Sequence, residues 1–186
     1  MIAGSTSLMV DGFICPGHIS VITGAKPYKT VAERYKKPCV ITGFEASDIL
    51  KGIKALIKQI KKGKSVVEIE YKRAVDRKGN VTARKVLEKV FEPCDARWRG
   101  LGMIKCSGLR LRKKFRNFDG EKEFKVSIPK TKMIKGCICG DILRGAKTPV
   151  DCKILGKTCT PERPVGPCMV SSEGPCAAHY KYRNNK

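Results

Sequence analysis

The stretch CVITGFEASDILKGIKALIKQIKKGKSVVEIEY, residues 39–71, decides the fold of this chain. It opens with the apolar, β-branched run CVIT (39–42), which predicts a buried strand. Ser47 then predicts the cap of an amphipathic helix of about 14 residues, which ends at Gly63. VVEIEY (66–71) alternates apolar and polar residues and predicts a second strand. Strand, helix and strand in this order indicate parallel strands joined by a helical crossover.

The flanking segments extend the same pattern. DGFIC (11–15) predicts a further short strand, 29–36 predicts a short helix, and TARKVLEKVF (82–91) predicts a second amphipathic helix. Both amphipathic helices are expected to turn one apolar stripe towards the core. The stripes consist of Ile49, Leu50, Ile53, Leu56, Ile57 and Ile60 in the first helix, and of Val86, Leu87, Val90 and Phe91 in the second. The predicted fold class is therefore α/β, with a mostly parallel sheet flanked by helices.

Polar residues follow two of the predicted strands. PGH comes directly after DGFIC, and GFE comes directly after CVIT. In open α/β sheets, ligands bind in the crevice beyond the carboxyl ends of the strands, so both segments are expected to face the same crevice. His18 and Glu45 are therefore candidate site residues on position alone.

Cysteines are concentrated at the end of the chain. Six of the ten lie in the last fifty residues, at Cys137, Cys139, Cys152, Cys159, Cys168 and Cys176. Iron–sulfur clusters and structural zinc both favour thiolate ligands, so a metal site is expected here. The spacing matches neither the paired C-x2-C of zinc ribbons nor the ferredoxin run, and a set of free thiols or disulfides stays open.

The change in composition divides the chain. Gly, Pro and Cys dominate from residue 136 onward, which predicts an α/β domain over 1–130 and a small Cys-rich domain over 131–186. The earlier cysteines carry no ligand spacing. Cys15 and Cys39 lie at predicted strands and are expected to be small buried hydrophobic residues.

The charge of the chain is strongly positive, since 39 Lys and Arg stand against 17 Asp and Glu and give +22. Such a balance suits either an acidic partner or a lysine-rich solvated surface. Aromatic residues make up only 6 % and do not interleave with the basic ones, so nucleic-acid binding is not favoured. No apolar run reaches the length of a membrane span, and no secretory signal is recognised, which together with the cysteines predicts a reducing, cytoplasmic setting.

Several long segments together resemble the HypD family of hydrogenase maturation proteins. The shared segments are DGFICPGHISVITG (11–24), PCVITGFEASDILKGI (38–53), VFEPCDARWRGLGMI (90–104), SGLRLRKKF (107–115), CICGDILRG (137–145) and CTPERPVGPCMVSSEGPCAAHYKY (159–182). The resemblance spans nearly the whole chain from Asp11 onward, and its final motif is long and specific.

The resemblance implies a function. HypD-family proteins are cytoplasmic accessory factors that build the Fe(CN)2(CO) unit of [NiFe]-hydrogenases with a HypC chaperone and a HypE cyanide donor. Their fold has two similar α/β domains and a C-terminal domain with a [4Fe–4S] cluster, similar to ferredoxin:thioredoxin reductase. Residues 1–130 would be the second α/β domain.

The resemblance also implies roles for single residues. The implied cluster ligands are Cys139, Cys152, Cys159 and Cys176, with Cys137 in reserve. His18, Glu45 and Glu173 match the family's PGH, GFE and SSEG motifs and are the implied catalytic residues around a transiently bound iron. The resemblance implies a maturation factor with a redox and ligand-transfer role, but the family's catalytic N-terminal thiols have no counterpart in this sequence, so its status as an enzyme stays open.

The family's N-terminal half, with its Gly-Pro-Gly-Cys-Pro-x-Cys motif, has no counterpart in this sequence. We therefore expect a fragment or one half of a split protein, with a separate N-terminal half as a further partner. Three alternatives remain. The chain could be a stand-alone iron–sulfur thiol redox protein that uses Cys137 and Cys168 as a reducible pair, a basic nucleic-acid-binding protein with a structural metal, or a non-functional remnant.

Overall fold

The computed structural model describes residues 10–124 and 135–183, which form two compact units. The first unit runs from Val10 to Lys89, and the second begins at Val90. The domain boundary expected near residue 130 lies outside the described residues and stays a prediction. Residues 90–124 belong to the same compact unit as the Cys-rich segment.

The first unit contains a three-stranded parallel sheet in the order β1-β2-β3. Its strands are β1 (Phe13–Pro16), β2 (Cys39–Thr42) and β3 (Val67–Ile69). Its helices are α1 (Gly17–Thr23), α2 (Lys26–Arg34), α3 (Ala46–Lys61) and α4 (Val81–Val90). The predicted α/β class with a parallel sheet is confirmed, and α3 is the crossover from β2 to β3.

The central strand β2 is buried along its whole length. Its run of apolar and β-branched residues suits a strand covered on both faces. Cys39 in β2 and Cys15 in β1 lie in one core with Ile41, Ala25 and Val75. Both thiols are at most 3 % exposed, so their prediction as small buried residues is confirmed.

A buried glutamine fixes the end of α3 to the sheet. The Gln59 side chain accepts a hydrogen bond from the backbone N–H of Val66 at 3.0 Å and donates one to the Glu68 carboxylate at 3.2 Å. A buried amide needs such partners, because leaving its polar groups unpaired costs free energy. The two bonds therefore hold the start of β3 against the last turns of α3.

The prediction that the apolar stripe of α3 faces the core is wrong for most of its members. Leu50, Ile53, Ile57 and Ile60 are 40–67 % exposed, whereas the buried residues of α3 are Asp48, Gly52 and Gln59. Gly52 explains the difference. A Cβ at this position would lie 2.2 Å from Thr42 Cγ2, so α3 approaches β2 through its smallest residue and its wider apolar face points outward.

Two local predictions are also corrected. The N-cap of α3 is Glu45, two residues before the expected Ser47, and its side chain makes no cap hydrogen bond. The last helix of the unit was expected to bury its apolar residues, but none of the ten residues Val81–Val90 is buried. Val86 and Leu87 are exposed, and Phe91 begins a strand.

The second unit opens with a two-stranded antiparallel sheet, which the sequence pattern did not predict. Its strands are β4 (Phe91–Trp98) and β5 (Gly102–Leu111), and a 3₁₀ turn, Lys113–Phe118, follows. The register shifts between Cys94 and Ala96. This bulge interrupts the alternation by which a strand is recognised, so the segment looks irregular in the sequence.

The rest of the described part of the second unit contains short helices, three of which contribute residues to a small core. They are α5 (Gly120–Glu123), α6 (Cys139–Leu143), the 3₁₀ turn Pro149–Asp151, α7 (Pro167–Val170) and α8 (Pro175–Tyr182). None of the helices in the two described stretches has the length and apolarity that crossing a membrane requires.

Candidate functional site

The carboxyl ends of β1 and β2 lie side by side and carry the first two predicted site residues. Pro16, the last residue of β1, lies opposite Thr42, the last of β2. His18 follows in the first turn of α1, and Glu45 stands at the start of α3. The His18 ring packs on the ring of Phe44, the neighbour of Glu45, with centroids 5.1 Å apart. The expected meeting of the two motifs is confirmed at this edge.

An ion pair between the buried Asp48 and the half-exposed Arg73 supports this edge. Asp48 in α3 receives two hydrogen bonds from Arg73, at 2.8 Å from Nη1 and 2.7 Å from Nη2. Nη2 also lies 3.2 Å from Glu45 Oε2. Burial of a carboxylate is costly unless it is paired, and this fork-to-fork geometry is the strongest pairing that Arg offers. The hydrogen bonds from Arg73 lower the pKa of Asp48.

Tyr71 closes the edge from the side of β3. The Arg73 guanidinium lies over the Tyr71 ring, 4.5 Å from its centroid. The ring in turn packs on Gly17, where a Cβ would lie 2.6 Å from Tyr71 Cδ1 and 2.3 Å from the carbonyl oxygen of Thr42. The Pro-Gly-His sequence therefore needs glycine because β2 and Tyr71 leave no room for a side chain.

The ion pair makes stability depend on pH in a defined direction. The pKa of Asp48 is lowered below its ordinary value of 3.8, so the carboxylate stabilises the fold above that pH and the stabilisation is lost as the pH falls through the folded-state pKa. We expect Asp48→Asn to lower the free energy of unfolding at pH 7, and the difference in this free energy from the unmodified chain to become smaller below pH 4. Urea titrations of both proteins at pH 7 and pH 3 measure the difference at each pH. Equal differences at the two pH values would contradict the prediction.

The second predicted site is a core made largely of sulfur. Cys139, Cys152, Cys159, Cys168 and Cys176 are each at most 9 % exposed and form one buried cluster with Ile142, Met169 and Ala177. Cys137 is partly buried and packs against it. All ten cysteines of the chain are free thiols. The structure thus brings together all four predicted ligands, the reserve Cys137, and Cys168.

Short contacts tie these thiols to each other and to the backbone. The Cys168 Sγ lies 3.2 Å from the Cys176 Sγ. The Cys159 Sγ accepts a hydrogen bond from the backbone N–H of Val165 at 3.4 Å. N–H donors of this kind stabilise negative charge on sulfur and tune the potential of a cluster that the sulfur binds.

Two glycines let the backbone pack closely against Cys137 and Cys139. A Cβ on Gly166 would lie 2.7 Å from the Cys137 Sγ and 3.3 Å from the Cys139 Cβ, and one on Gly100 would lie 2.9 Å from the Cys139 Sγ. Gly100 is in the turn between β4 and β5, and Arg99 beside it donates to the carbonyl oxygen of Val165 at 3.1 Å. The hairpin therefore packs against this side of the sulfur core.

Burial favours the protonated form of three thiols of this core, because it raises the pKa of Cys139, Cys168 and Cys176. It raises the pKa of Cys139 to about 12, with a further contribution from the hydrogen bond with Cys137. It also raises the pKa of Cys168 to about 12, with the hydrogen bond to Cys176 adding to the effect, and it raises the pKa of Cys176. A metal binds the thiolate, so binding at these residues would release protons.

The chemistry of the donor set can be compared with what a cluster needs. Across residues 10–124 and 135–183, no three His, Cys, Asp or Glu side chains are arranged as ligands of one metal ion. The ligands of a [4Fe–4S] cluster bind four separate irons, so they need not converge on one point. The sulfur-only donors of this core are compatible with such a cluster.

Glu173, the third predicted catalytic residue, lies in the second unit. It is exposed in the turn between α7 and α8, and its backbone N–H donates to Ser171 Oγ at 3.3 Å. Its neighbour Gly174 packs on the Cys168 carbonyl, where a Cβ would lie 2.3 Å from the oxygen. Glu173 thus stands beside the sulfur core and outside its buried cluster.

Sequence reasoning missed Asp48, Arg73, Tyr71 and Phe44. One feature of the sequence could have pointed to Asp48. It is an acidic residue in the first turn of a predicted helix, a position that stabilises negative charge. Arg73 had no such feature, since the 25 positions that separate it from Asp48 conceal the pairing.

Comparisons of the sequence with known proteins show what the chain is similar to. The HypD family model, described as the hydrogenase formation hypA family, matches residues 1–183. A Methanocaldococcus jannaschii protein named for hydrogenase expression and formation is 50 % identical over 174 residues, which cover 94 % of this chain and 49 % of the relative. Hydrogenase maturation factor HypD of Cupriavidus necator is 47 % identical over 174 residues, covering 93 % and 46 %.

A third relative, hydrogenase maturation factor HypD1 of Bradyrhizobium diazoefficiens, is 46 % identical over 175 residues, covering 94 % of this chain and 46 % of its own length. The chain thus spans about half the length of the curated relatives it matches. With a match over nearly all of its residues, the chain belongs to the HypD family.

Proposed function

We propose that this chain acts in [NiFe]-hydrogenase maturation as the iron–sulfur part of a HypD-type factor. The observation that carries the proposal is the buried core of free thiols in a member of this family. Five of the eight buried residues of this core are Cys, so its centre is rich in potential metal ligands. A bound cluster would add to the cohesion of the core, as structural metals do in other small domains.

Cys139, Cys152, Cys159 and Cys176 would hold the [4Fe–4S] cluster, and Cys137 is the reserve ligand. The cluster supplies one-electron transfer when bound. The chain's own residues bury the sulfurs, direct the Val165 N–H at Cys159 and bring the Gly166 backbone close to Cys137. Free thiols persist in reducing compartments, which supports a cytoplasmic location.

His18 and Glu45 would act at the carboxyl edge of the first unit's sheet. An imidazole and a carboxylate at one edge can orient a bound group and move protons, the two tasks that assembling Fe(CN)2(CO) on a transiently held iron demands. Glu173 would serve the same purpose beside the sulfur core. The reaction partners would be a HypC-like chaperone, a HypE-like cyanide donor and the N-terminal half of a HypD protein.

Complementation tests the proposal. The chain and the N-terminal half of a HypD relative are produced together in a host that lacks its own HypD, and hydrogenase activity is measured. Active hydrogenase is expected from the unmodified pair. His18→Ala and Glu45→Gln are each expected to lower activity about a hundredfold, the lower end of the usual range for removing an acid–base group.

Glu33→Gln is the matched control, because Glu33 is an exposed carboxylate on α2 and should leave activity unchanged. Full activity with both site variants would remove His18 and Glu45 from the reaction. No activity from the unmodified pair, with both chains folded, would contradict the proposed function itself.

A further inference from the structure

Arg73 differs from an ordinary surface arginine in being held from three sides. Two hydrogen bonds of 2.7 and 2.8 Å join it to Asp48, and its guanidinium plane stacks on Tyr71 at 4.5 Å. Its third neighbour is the Glu45 carboxylate, 3.2 Å from Nη2. The side chain is still half exposed, so the guanidinium is anchored while one side stays open to the edge of the sheet.

Pairing with Asp48 alone does not account for this arrangement. The Asp48 side chain is only 4 % exposed and needs a cation, and the two-pronged contact provides one. That contact uses one N–H from each terminal nitrogen. Nη2 carries a second N–H, and the nearest carboxylate beyond Asp48 is that of Glu45.

Glu45 needs such a contact more than most carboxylates. Its side chain is 72 % exposed at the start of α3 and has three rotatable bonds, so without a partner it would sample many rotamers. A catalytic group must be held near its productive geometry, because a displacement of about 1 Å can reduce the rate a hundredfold. An anchored cation at 3.2 Å restricts the carboxylate to the side that faces Arg73.

We propose that Arg73, fixed by Asp48 and Tyr71, is the positioning residue that holds the Glu45 carboxylate over the carboxyl ends of β1 and β2. The catalytic part of this inference rests on the proposed role of Glu45. Through the Phe44 peptide the same contact steadies the ring that packs on His18. Arg73 thus acts on the site through Glu45, without touching the substrate.

The first experiment measures the position of Glu45 directly, without any activity. NMR three-bond couplings report the χ1 rotamer of Glu45 in the purified chain. We expect one dominant rotamer in the unmodified protein and rotamer averaging in Arg73→Gln and in Asp48→Asn. Arg34→Gln is the matched control, since Arg34 also stacks on a tyrosine, Tyr35, but lies in the last turn of α2. The proposal is overturned if the χ1 rotamer of Glu45 is already averaged in the unmodified chain. It is also overturned if Arg73→Gln leaves one dominant rotamer.

The second experiment uses the complementation assay with a double-mutant cycle. Arg73→Gln should lower hydrogenase activity about tenfold or more, and Arg73→Lys should recover part of it, because Lys keeps the charge but loses the two-pronged grip. Combining Arg73→Gln with Glu45→Gln should cost no more than about twofold beyond Glu45→Gln alone, since the two residues act as one unit. Melting temperatures of all variants check that they fold.

The two experiments separate the possible failures. If Glu45→Gln itself leaves maturation unchanged, the role of Glu45 in the proposed function fails, while the NMR result still decides whether Arg73 positions Glu45. If Glu45→Gln is inactive but the losses from the two variants multiply, Arg73 acts independently of Glu45 and the inference is overturned.

Discussion

Anaerobic reconstitution of the purified chain with iron and sulfide is expected to yield about four iron and four sulfide per chain. The reconstituted protein should absorb at roughly 400 nm, and dithionite should reduce this absorbance. Cys152→Ala and Cys159→Ala should each reduce bound iron to below about one per chain, because loss of one thiolate opens a corner of the cluster. These cysteines are buried in the sulfur core, so their removal also exposes the cluster to water.

The same measurement ranks the remaining thiols. Cys139→Ala and Cys176→Ala are expected to lose the cluster as well, whereas Cys137→Ala should retain it. Cys106→Ala is the matched control, since Cys106 is an exposed thiol on β5 outside the sulfur core. If Cys139→Ala keeps its full iron content and Cys137→Ala loses iron, Cys137 is the cluster ligand and Cys139 is not.

Other outcomes favour the rival functions. Zinc in place of iron, or a folded chain without metal, would contradict the cluster assignment. A cluster together with a dithiol that titrates without any partner would favour the stand-alone redox protein. Steeply salt-dependent binding to nucleic acid would favour the basic binding protein.

Gly17→Ala is expected to destabilise the first unit by about 3 kcal/mol, the upper part of the range for forcing an extra methyl into a packed site. The new Cβ would lie 2.3 Å from the Thr42 carbonyl oxygen in the central strand and 2.6 Å from the Tyr71 ring. A backbone carbonyl cannot rotate away as a flexible side chain would, so α1 must shift and carry His18 with it. Urea unfolding measures the loss.

Gly120→Ala is the matched control for this substitution. Gly120 also stands first in a helix, α5, but the nearest heavy atom to its Cβ would be Phe124 Cδ2 at 3.7 Å, an ordinary contact. Its effect should stay within about 0.5 kcal/mol or be slightly stabilising. If the two variants lose equal free energy of unfolding, the close packing around Gly17 does not explain the effect of Gly17→Ala.

The sequence predicts those elements of the fold that depend on local residue patterns better than those in which the pattern is interrupted. The strand at CVIT and the helix after it follow from local apolar composition, and the structure confirms them as β2 and α3. The antiparallel pair β4-β5 was missed, because the bulge near Cys94 breaks the alternation that identifies strands.

The candidate sites divide in the same way. His18 and Glu45 could be singled out because the ends of parallel strands can be located from the strands themselves. The cysteines were singled out by residue type, and the structure buries five of the six in one core. Which four of the six bind a cluster remains a prediction, since the sequence spacing alone admits several sets.

By itself, the sequence determined the family, the parallel sheet and the segments proposed as sites, because all three depend on residue type and local order. The tertiary structure alone decided which face of α3 is buried, since close approach through Gly52 turned the wider apolar stripe outward. It alone also paired Asp48 with Arg73, 25 positions away. Such contacts depend on how whole elements pack, and no local pattern records them.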